Sequence, residues 1–234
     1  MSGVLLAVET ATEACSVGLW VEGETRVRHE VAPREHARLS GRFIEALLAE
    51  SGLTASAIDA IAVGRGPGSF TGVRIAISLV QGLALSLDRP VIPVSTLAVL
   101  GQGGLRRHEG VEAALVAIDA RMGQVYWGAF ARDPDTGLAL AATDEAVLDP
   151  ARVSAEAIRP QDAVAVGTGW GAHGAALQVA LGSGCAITEP EALPHAEDLL
   201  ALARPRFEAG DAVDAAEALP VYLRDQVASK PRPR

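Results

Sequence analysis

Two acidic residues stand at the ends of apolar segments, where they could serve phosphate chemistry. Glu9 ends the segment Val4–Glu9, and Asp119 ends a similar segment in the second half of the chain. In two-lobed phosphotransferases, carboxylates at strand ends hold magnesium and phosphate in a cleft between the lobes. Each acid is also a common turn or cap residue, and Arg121 beside Asp119 suits a surface ion pair equally well. The pattern leaves the roles of these three residues open.

A cluster of glycines at residues 64–72 is the most informative local feature. It lies between a predicted strand and a predicted helix, where glycine backbone and free helix N–H groups can hold an anion. The spacing fits neither a Walker A loop nor a nucleophile elbow. A purely structural turn is the alternative. If the anion hypothesis holds, the contacts fall on Gly66, Gly68, Ser69, Thr71, Gly72 and Arg74.

Other chemistry finds little support in the residue types. The five histidines have no metal-binding spacing and lie far in sequence from Cys15 and Cys185, so the sequence predicts no metal site and two free thiols. The formal charge of 20 − 29 = −9 disfavours a free-standing nucleic-acid binder. The short apolar start and the interrupted apolar segment at residues 73–87 predict neither a signal peptide nor a membrane span. We expect a cytoplasmic protein.

The elements that must position these residues form a recurring pattern. Apolar alternation predicts strands at Val4–Glu9, 15–21 and 25–31, a helix at 34–51, a strand at 59–64, a helix at 72–87 and a strand at Val91–Val94. A short helix to residue 100 precedes a predicted break at residues 101–107. The second half repeats hairpin, strand, glycine loop and helix.

This organisation predicts an α/β protein of two similar lobes. We expect a first lobe at residues 1–105, a smaller second lobe at 106–195, and a C-terminal helix and tail at 196–234 that pack back on the first lobe. The cationic, proline-rich end, residues 229–234, is expected to be a solvated tail, with a minor contact to RNA or an acidic partner as the alternative.

The predicted helix at residues 72–87 is apolar nearly all round. Val73, Ile77 and Val80 lie on one face, while Ile75 and Leu79 lie on the other. One face can pack on the sheet of its own lobe, and the other needs a second lobe or another chain. Internal burial and a helix-pair interface with a partner both fit this pattern.

Six segments occur in an order that carries a family resemblance: residues 8–17, 33–37, 64–74, 118–123, 166–170 and 221–224. The string Gly-Arg-Gly-Pro-Gly-Ser-Phe-Thr-Gly-Val-Arg at residues 64–74 is the most specific of them. Together they resemble the TsaB family of bacterial tRNA threonylcarbamoyladenosine biosynthesis proteins over nearly the whole chain. The resemblance implies an actin/Hsp70/sugar-kinase-like fold, with two ribonuclease-H-like lobes of mixed sheet and flanking helices.

The resemblance also implies a non-catalytic role. The related transferase TsaD carries two metal-binding histidines after the strand that corresponds to Val91–Val94, and this chain has Thr96 and Leu100 there. We therefore expect no catalytic residue, no metal and no cofactor in this chain, with ATP or ADP confined to the assembled complex. An active actin-fold phosphotransferase or ATPase is the alternative. A peptidase is a weaker one, because no nucleophile motif supports it.

The implied partners are TsaD and the ATPase TsaE. The family pairs with TsaD through the two helices that correspond to residues 34–51 and 72–87, forms homodimers through the same surface when alone, and meets tRNA only indirectly. The residues that this implies for the interface are Leu39, Phe43, Leu47, Ile75, Leu79 and Gly82.

Overall fold

The structure, a computed structural model, describes residues 3–156, 158–182 and 184–224. The first half of the chain contains β1 (Val4–Glu9), β2 (Ala14–Val21), β3 (Glu24–Val31), α1 (His36–Glu50), β4 (Ala60–Gly64), α2 (Phe70–Leu87), β5 (Val91–Val94) and α3 (Thr96–Arg107). The second half contains β6 (Ala113–Asp119), β7 (Val125–Arg132), β8 (Ala139–Ala141), β9 (Ala146–Leu148), β10 (Ala163–Val166), α4 (Thr168–Leu181), β11 (Ile187–Glu189) and α5 (Ala196–Glu208). The tail predicted at residues 229–234 lies outside the described residues.

The two sheets share one topology. The first has the order β3-β2-β1-β4-β5 and the second the order β11-β10-β6-β7-β8, with β9 also paired to β7. In each sheet an antiparallel meander is followed by two parallel strands, β4 and β5 in the first lobe and β10 and β11 in the second. The prediction of two similar lobes of mixed sheet is therefore confirmed.

Helices and sheets alternate in five layers. Side chains of β1 point to opposite faces in turn: Leu6 and Val8 join α1 and α2 in an outer core, and Leu5 and Ala7 join α3 and α5 in the middle. On the second sheet, the middle layer packs on one face, and Trp170 and Leu177 of α4 pack on the other. Each sheet thus has both faces covered, which suits its parallel strands.

The break predicted at residues 101–107 is wrong, because α3 continues through Arg107. Its glycines permit close packing instead. A Cβ at Gly101 would lie 3.1 Å from the ring of Phe130, and one at Gly104 would lie 2.8 Å from Val166. The glycines of this helix therefore bring its backbone against the second sheet, and the predicted lobe boundary at residues 105 and 106 falls inside α3.

The middle layer joins the lobes by an exchange of helices. Helix α3 follows the last strand of the first sheet yet packs on the second sheet, while α5 follows the second sheet and packs on the first, where Leu200 lies over Gly18. The Ala196 N–H at the start of α5 donates to Ser16 Oγ of β2 at 2.9 Å. Between the two helices, Arg106 of α3 binds the buried carboxylate of Asp198 with Nε–Oδ1 and Nη2–Oδ2 distances of 2.8 and 3.2 Å.

Among the described helices, α2 alone has the length and apolar composition that a membrane span needs, with a mean hydropathy of 1.5. About a third of that stretch, 33%, is buried inside the protein. The buried residues include Val73, Ile77 and Val80, which pack in the outer core of the first lobe. Core helices of soluble proteins meet the same criteria, so this property carries little weight.

Arg106→Gln is expected to lower the free energy of unfolding by about 2 kcal/mol, because it leaves the buried Asp198 carboxylate without its bidentate partner. Adding Asp198→Asn should restore at least half of that loss. Urea unfolding of both variants measures the effect. Arg38→Gln, which breaks an exposed pair with Glu35, is the control and should cost less than about 1 kcal/mol. Equal losses for Arg106→Gln and Arg38→Gln would contradict the role assigned to the buried pair.

Candidate functional site

A cleft of about 1010 Å³ opens between the two lobes. The first lobe contributes the β1–β2 turn, the loop before α1 and the start of α2; the second lobe contributes the β6–β7 hairpin and the start of α4. The segment 221–224 lies along the same cleft and touches both lobes, since the Val221 N–H donates to Arg65 O and an Arg224 Nη2 donates to Gln124 Oε1.

The glycine loop is built into the wall of this cleft. A Cβ at Gly68 would lie 2.4 Å from Ala11 O, and one at Gly72 would lie 2.1 Å from Thr10 O. The Ser69 N–H donates to Ala11 O at 2.7 Å, and Thr10 Oγ1 donates to Gly72 O at 2.7 Å. The glycines are therefore required for the close approach of α2 to the β1–β2 turn.

These contacts occupy two of the backbone N–H groups that were predicted to bind an anion. The Ser69 N–H is bound to Ala11, and the Gly72 N–H donates to Ser69 Oγ at 3.3 Å, which caps α2. Of the six residues predicted for anion contact, only Gly68, Ser69 and Arg74 are among the described residues that line the cleft. The structural role of the loop is thus evident, and its anion contact stays a prediction.

Gly72→Ala is expected to destabilise the protein by about 2–4 kcal/mol, because the new methyl group would overlap the Thr10 carbonyl oxygen. The control is Gly174→Ala in α4, where a Cβ meets nothing within 4 Å. That change should raise the melting temperature, since alanine stabilises a helix interior by roughly 1 kcal/mol over glycine. Thermal unfolding of the two variants should move in opposite directions; movement in the same direction would refute the packing argument.

Glu9 is buried rather than displayed in the cleft. It is 1% exposed, and its Oε1 accepts the Ala11 N–H at 2.7 Å while its Oε2 accepts the Thr96 hydroxyl at 3.0 Å. Gly64 leaves the space for this carboxylate, because a Cβ there would lie 1.9 Å from Oε2. Burial raises the pKa of Glu9 to about 7, although the hydrogen bonds lower it. Such a group is held by its own chain and is poorly placed to bind magnesium.

The raised pKa makes stability depend on pH. Between a pKa of about 4.5 in the unfolded chain and about 7 in the folded one, the folded state binds more protons, so the free energy of unfolding falls as pH rises. Glu9→Gln keeps the shape without the charge. We expect it to be more stable than the parent at pH 8, by up to about 3 kcal/mol, and to match it at pH 4.5. Denaturant unfolding at a series of pH values measures this difference. Parallel curves for Glu9→Gln and the parent would contradict the assignment.

Asp119 does line the cleft, but it organises its own hairpin. Its Oδ1 accepts the Arg121 N–H at 3.0 Å, and its Oδ2 lies 3.2 Å from Arg121 Nη1. The Asp119 N–H donates to Thr168 Oγ1 of α4 at 3.1 Å. Arg121 is 79% exposed at its side chain. The turn and ion-pair alternative therefore accounts for both residues.

No group of three or more metal-binding side chains occurs in residues 3–156, 158–182 and 184–224. Thr96 and Leu100, which stand at the two histidine positions of TsaD, are both buried. Thr96 is bound to Glu9, and Leu100 packs in the middle layer against Gly167. Neither residue offers a ligand to a cleft-bound metal.

An aromatic and cationic cluster lies at the cleft, and no pattern in the sequence predicted it. The Arg74 guanidinium lies 3.5 Å from the centroid of the Phe70 ring, and Arg74 Nε donates to Tyr222 Oη at 2.7 Å. Phe70 and Tyr222 are 52% and 44% exposed. Residues 221–224 form one of the segments that carried the family resemblance, but Arg74 and Tyr222 are 148 positions apart and nothing in the sequence indicated that they touch.

Helices α1 and α2 form the second candidate surface. Of its six predicted residues, two are buried in the core and four lie at the surface. Leu39 and Leu47 are 2% and 0% exposed and belong to the core of the first lobe, so their assignment to a partner surface is corrected. A charge at Leu47 would unfold this core rather than report on an interface. Phe43, Ile75 and Leu79 are half-buried and Gly82 is exposed, which places these four at the surface.

Comparisons with known proteins agree over the whole chain. The family model described as TsaD, tRNA N6-adenosine threonylcarbamoyltransferase, matches residues 27–232. The tRNA threonylcarbamoyladenosine biosynthesis protein TsaB of Escherichia coli is 44% identical, with 98% of both chains covered, and that of Haemophilus influenzae is 39% identical, with 98% of this chain and 97% of the relative covered. The solved structure of YeaZ from Pseudomonas aeruginosa is 47% identical with a TM-score of 0.86, covering 94% of this chain and all of that one.

Two lobes of shared ribonuclease-H-like topology, facing each other across a cleft, define a protein of the actin/Hsp70/sugar-kinase-like class. Within that class, the sequence identity to the relatives over nearly the full chain shows the family. The chain belongs to the TsaB family of tRNA threonylcarbamoyladenosine biosynthesis proteins.

Proposed function

We propose that this chain is a non-catalytic subunit in the threonylcarbamoylation of the adenosine beside the anticodon, in tRNAs that read codons beginning with A. It binds and supports TsaD, helps to recruit the ATPase TsaE, and forms a homodimer when alone. It acts in the cytoplasm, needs no cofactor of its own, and meets tRNA through the assembled complex, where ATP or ADP is bound.

The observation that carries this proposal is the surface of α1 and α2. Phe43 of α1 and Leu79 of α2 pack partly on the core of the first lobe and are half-buried. Leu85 of α2 is 78% exposed. Gly82 lies in the middle of α2, and a Cβ there would meet nothing within 4 Å. Glycine in a helix interior costs roughly 1 kcal/mol relative to alanine, and nothing inside this chain requires it. Close approach of a partner's helix would explain both features.

The contacts of Glu9 and Asp119 argue against the alternative function, an active phosphotransferase. The first carboxylate is enclosed by Ala11, Thr96 and Gly64, and the second is bound to Arg121. An enzyme of that type needs carboxylates that are free to hold magnesium and phosphate in the cleft. A supporting role therefore fits this chain better than catalysis.

Leu79→Glu is expected to weaken the association with TsaD by at least about tenfold, because it places a charge in a desolvated helix interface. The matched control is Val179→Glu on α4 of the second lobe, where the side chain is 83% exposed. Val179→Glu should keep the parent's melting temperature, and Leu79→Glu should still unfold cooperatively above the assay temperature, because its side chain is only partly buried. Size-exclusion chromatography with light scattering measures complex formation, and mass spectrometry of tRNA nucleosides measures product in a reconstituted reaction with TsaD and TsaE.

The reconstituted reaction also tests the division of labour. Omission of this chain or of TsaD should each abolish product, and Leu79→Glu should reduce it in step with the lost complex. Product from this chain in the absence of TsaD would overturn the non-catalytic assignment. Normal TsaD binding by Leu79→Glu would overturn the assigned face.

A further inference from the structure

Strand β3 forms an open edge of the first sheet. It has eight residues, and β2 is the only described strand beside it. The opposite edge, β5, is covered at Val91, which exchanges backbone hydrogen bonds of 2.9 and 2.8 Å with Val213. In the second sheet, the edge strands β8, β9 and β11 have three residues each. Short or covered edges hinder pairing with other chains, and β3 is neither short nor covered.

Alternate residues of β3 turn their backbone groups away from β2. The tight loop between β2 and β3 makes the first pair of residues, Val21 and Glu24, a hydrogen-bonded pair. Every second pair along the hairpin is then bonded, as far as the Ala32 N–H, which donates to Glu13 O at 3.1 Å. The residues between these pairs direct their N–H and C=O groups outward: Thr25, Val27, His29 and Val31.

These outward groups have almost no partner in the part of the chain that the structure describes. One hydrogen bond reaches them, from Arg28 Nη1 to Val27 O at 3.2 Å. This bond comes from an exposed side chain of the same strand, so a neighbouring strand can displace it. His29 and Glu30 are exposed, and Val31 is 59% exposed. The end of the strand is therefore accessible to another chain.

The sequence of β3 is self-complementary when two copies run antiparallel. With His29 of one copy opposite His29 of the other, Val27 faces Val31 twice on one side of the sheet. On the other side, Arg28 faces Glu30 twice. Apolar and opposite-charge pairs across an antiparallel ladder are favourable. In this register the outward backbone groups also lie opposite one another, as the ladder requires.

The neighbouring registers bring like charges together. A pairing centred on Arg28 places two arginines opposite each other. A pairing centred on Val27 places Arg26 opposite Arg28 and Glu24 opposite Glu30. Like charges directly opposite each other are destabilising in a sheet. The charges of β3 therefore select the register centred on His29.

His29 is suited to the central position. Its ring stacks on the ring of His195 in its own chain, with the centroids 4.7 Å apart. Partial removal from water lowers the pKa of both imidazoles. Two copies of His29 therefore meet without charge at neutral pH.

We propose that two copies of this chain pair through their β3 edges, antiparallel and centred on His29, so that the two first sheets form one continuous sheet. The backbone groups of Val27, His29 and Val31 join the copies, and the Arg28–Glu30 pairs fix the register. The α1–α2 surface takes no part in this pairing.

The test measures self-association of the purified full chain by sedimentation velocity at pH 7.5. Leu79→Glu is present throughout, so that association through α1 and α2 does not contribute. This chain is expected to form dimers. Adding either Glu30→Arg or Arg28→Glu should weaken the dimer at least about tenfold, because like charges then face each other twice.

A mixture of these two variants gives the decisive result. One carries two arginines at positions 28 and 30, and the other carries two glutamates there, so every facing pair has opposite charges only in the mixed dimer. Equal amounts of the two variants should therefore form a dimer that neither forms alone. A monomeric Leu79→Glu chain at about 0.3 mM, a dimer that survives Glu30→Arg, or a mixture that stays monomeric would overturn the proposal.

A pair of proline variants tests the backbone contacts. His29→Pro removes the central outward N–H and should abolish the dimer, whereas Thr25→Pro makes the same change outside the paired segment and should leave it within about twofold. Neither N–H serves the bond to β2, so both variants should fold, which thermal unfolding checks. Equal loss of the dimer in both would refute the register. Since TsaD is absent and the mixture depends on positions 28 and 30, these results are independent of the proposed function.

Discussion

The packing of α3 against α5 between two sheets is the constraint on which the rest of the molecule depends. Each helix follows the sheet of one lobe in sequence and packs on the sheet of the other lobe. The glycines of α3 allow its backbone to approach the second sheet, and the Arg106–Asp198 pair joins it to α5. The two lobes therefore share one continuous core, and the width of the cleft between them is set by this layer.

That shared core leaves two surfaces with different chemistry. On the outer side of the first lobe, α1 and α2 present an apolar face suited to another protein chain. Between the lobes, the cleft combines apolar surface with four arginines and two acidic residues, and its wall is stiffened where Gly68 and Gly72 approach the β1–β2 turn. Helix α2 belongs to both surfaces, since Arg74 near its start lines the cleft and Leu79 and Gly82 lie on the outer face. Different turns of the same helix thus contribute to the two surfaces.

Alternation and turn residues predicted most of the fold, because each strand and helix carries its own local pattern. The exceptions are instructive. The glycines at 101, 103 and 104 indicated a break, whereas they mark close packing that depends on residues far away in the chain. Leu47 was assigned to a partner surface because the family resemblance implied helix 34–51 as a whole, and the sequence does not say which of its apolar residues the core covers. The Arg74–Tyr222 contact and the enclosure of Glu9 also rest on long-range contacts, which spacing cannot reveal.

The exchange of helices between lobes has a consequence for synthesis of the protein. The inner face of β1 is made long before the helix that covers it, α5, because the whole second sheet lies between them in sequence. The first lobe cannot complete its core until α5 has left the ribosome. Until then its apolar surface is exposed in a nascent chain, a condition that favours aggregation. The two lobes are therefore expected to close together on the middle layer, rather than one after the other.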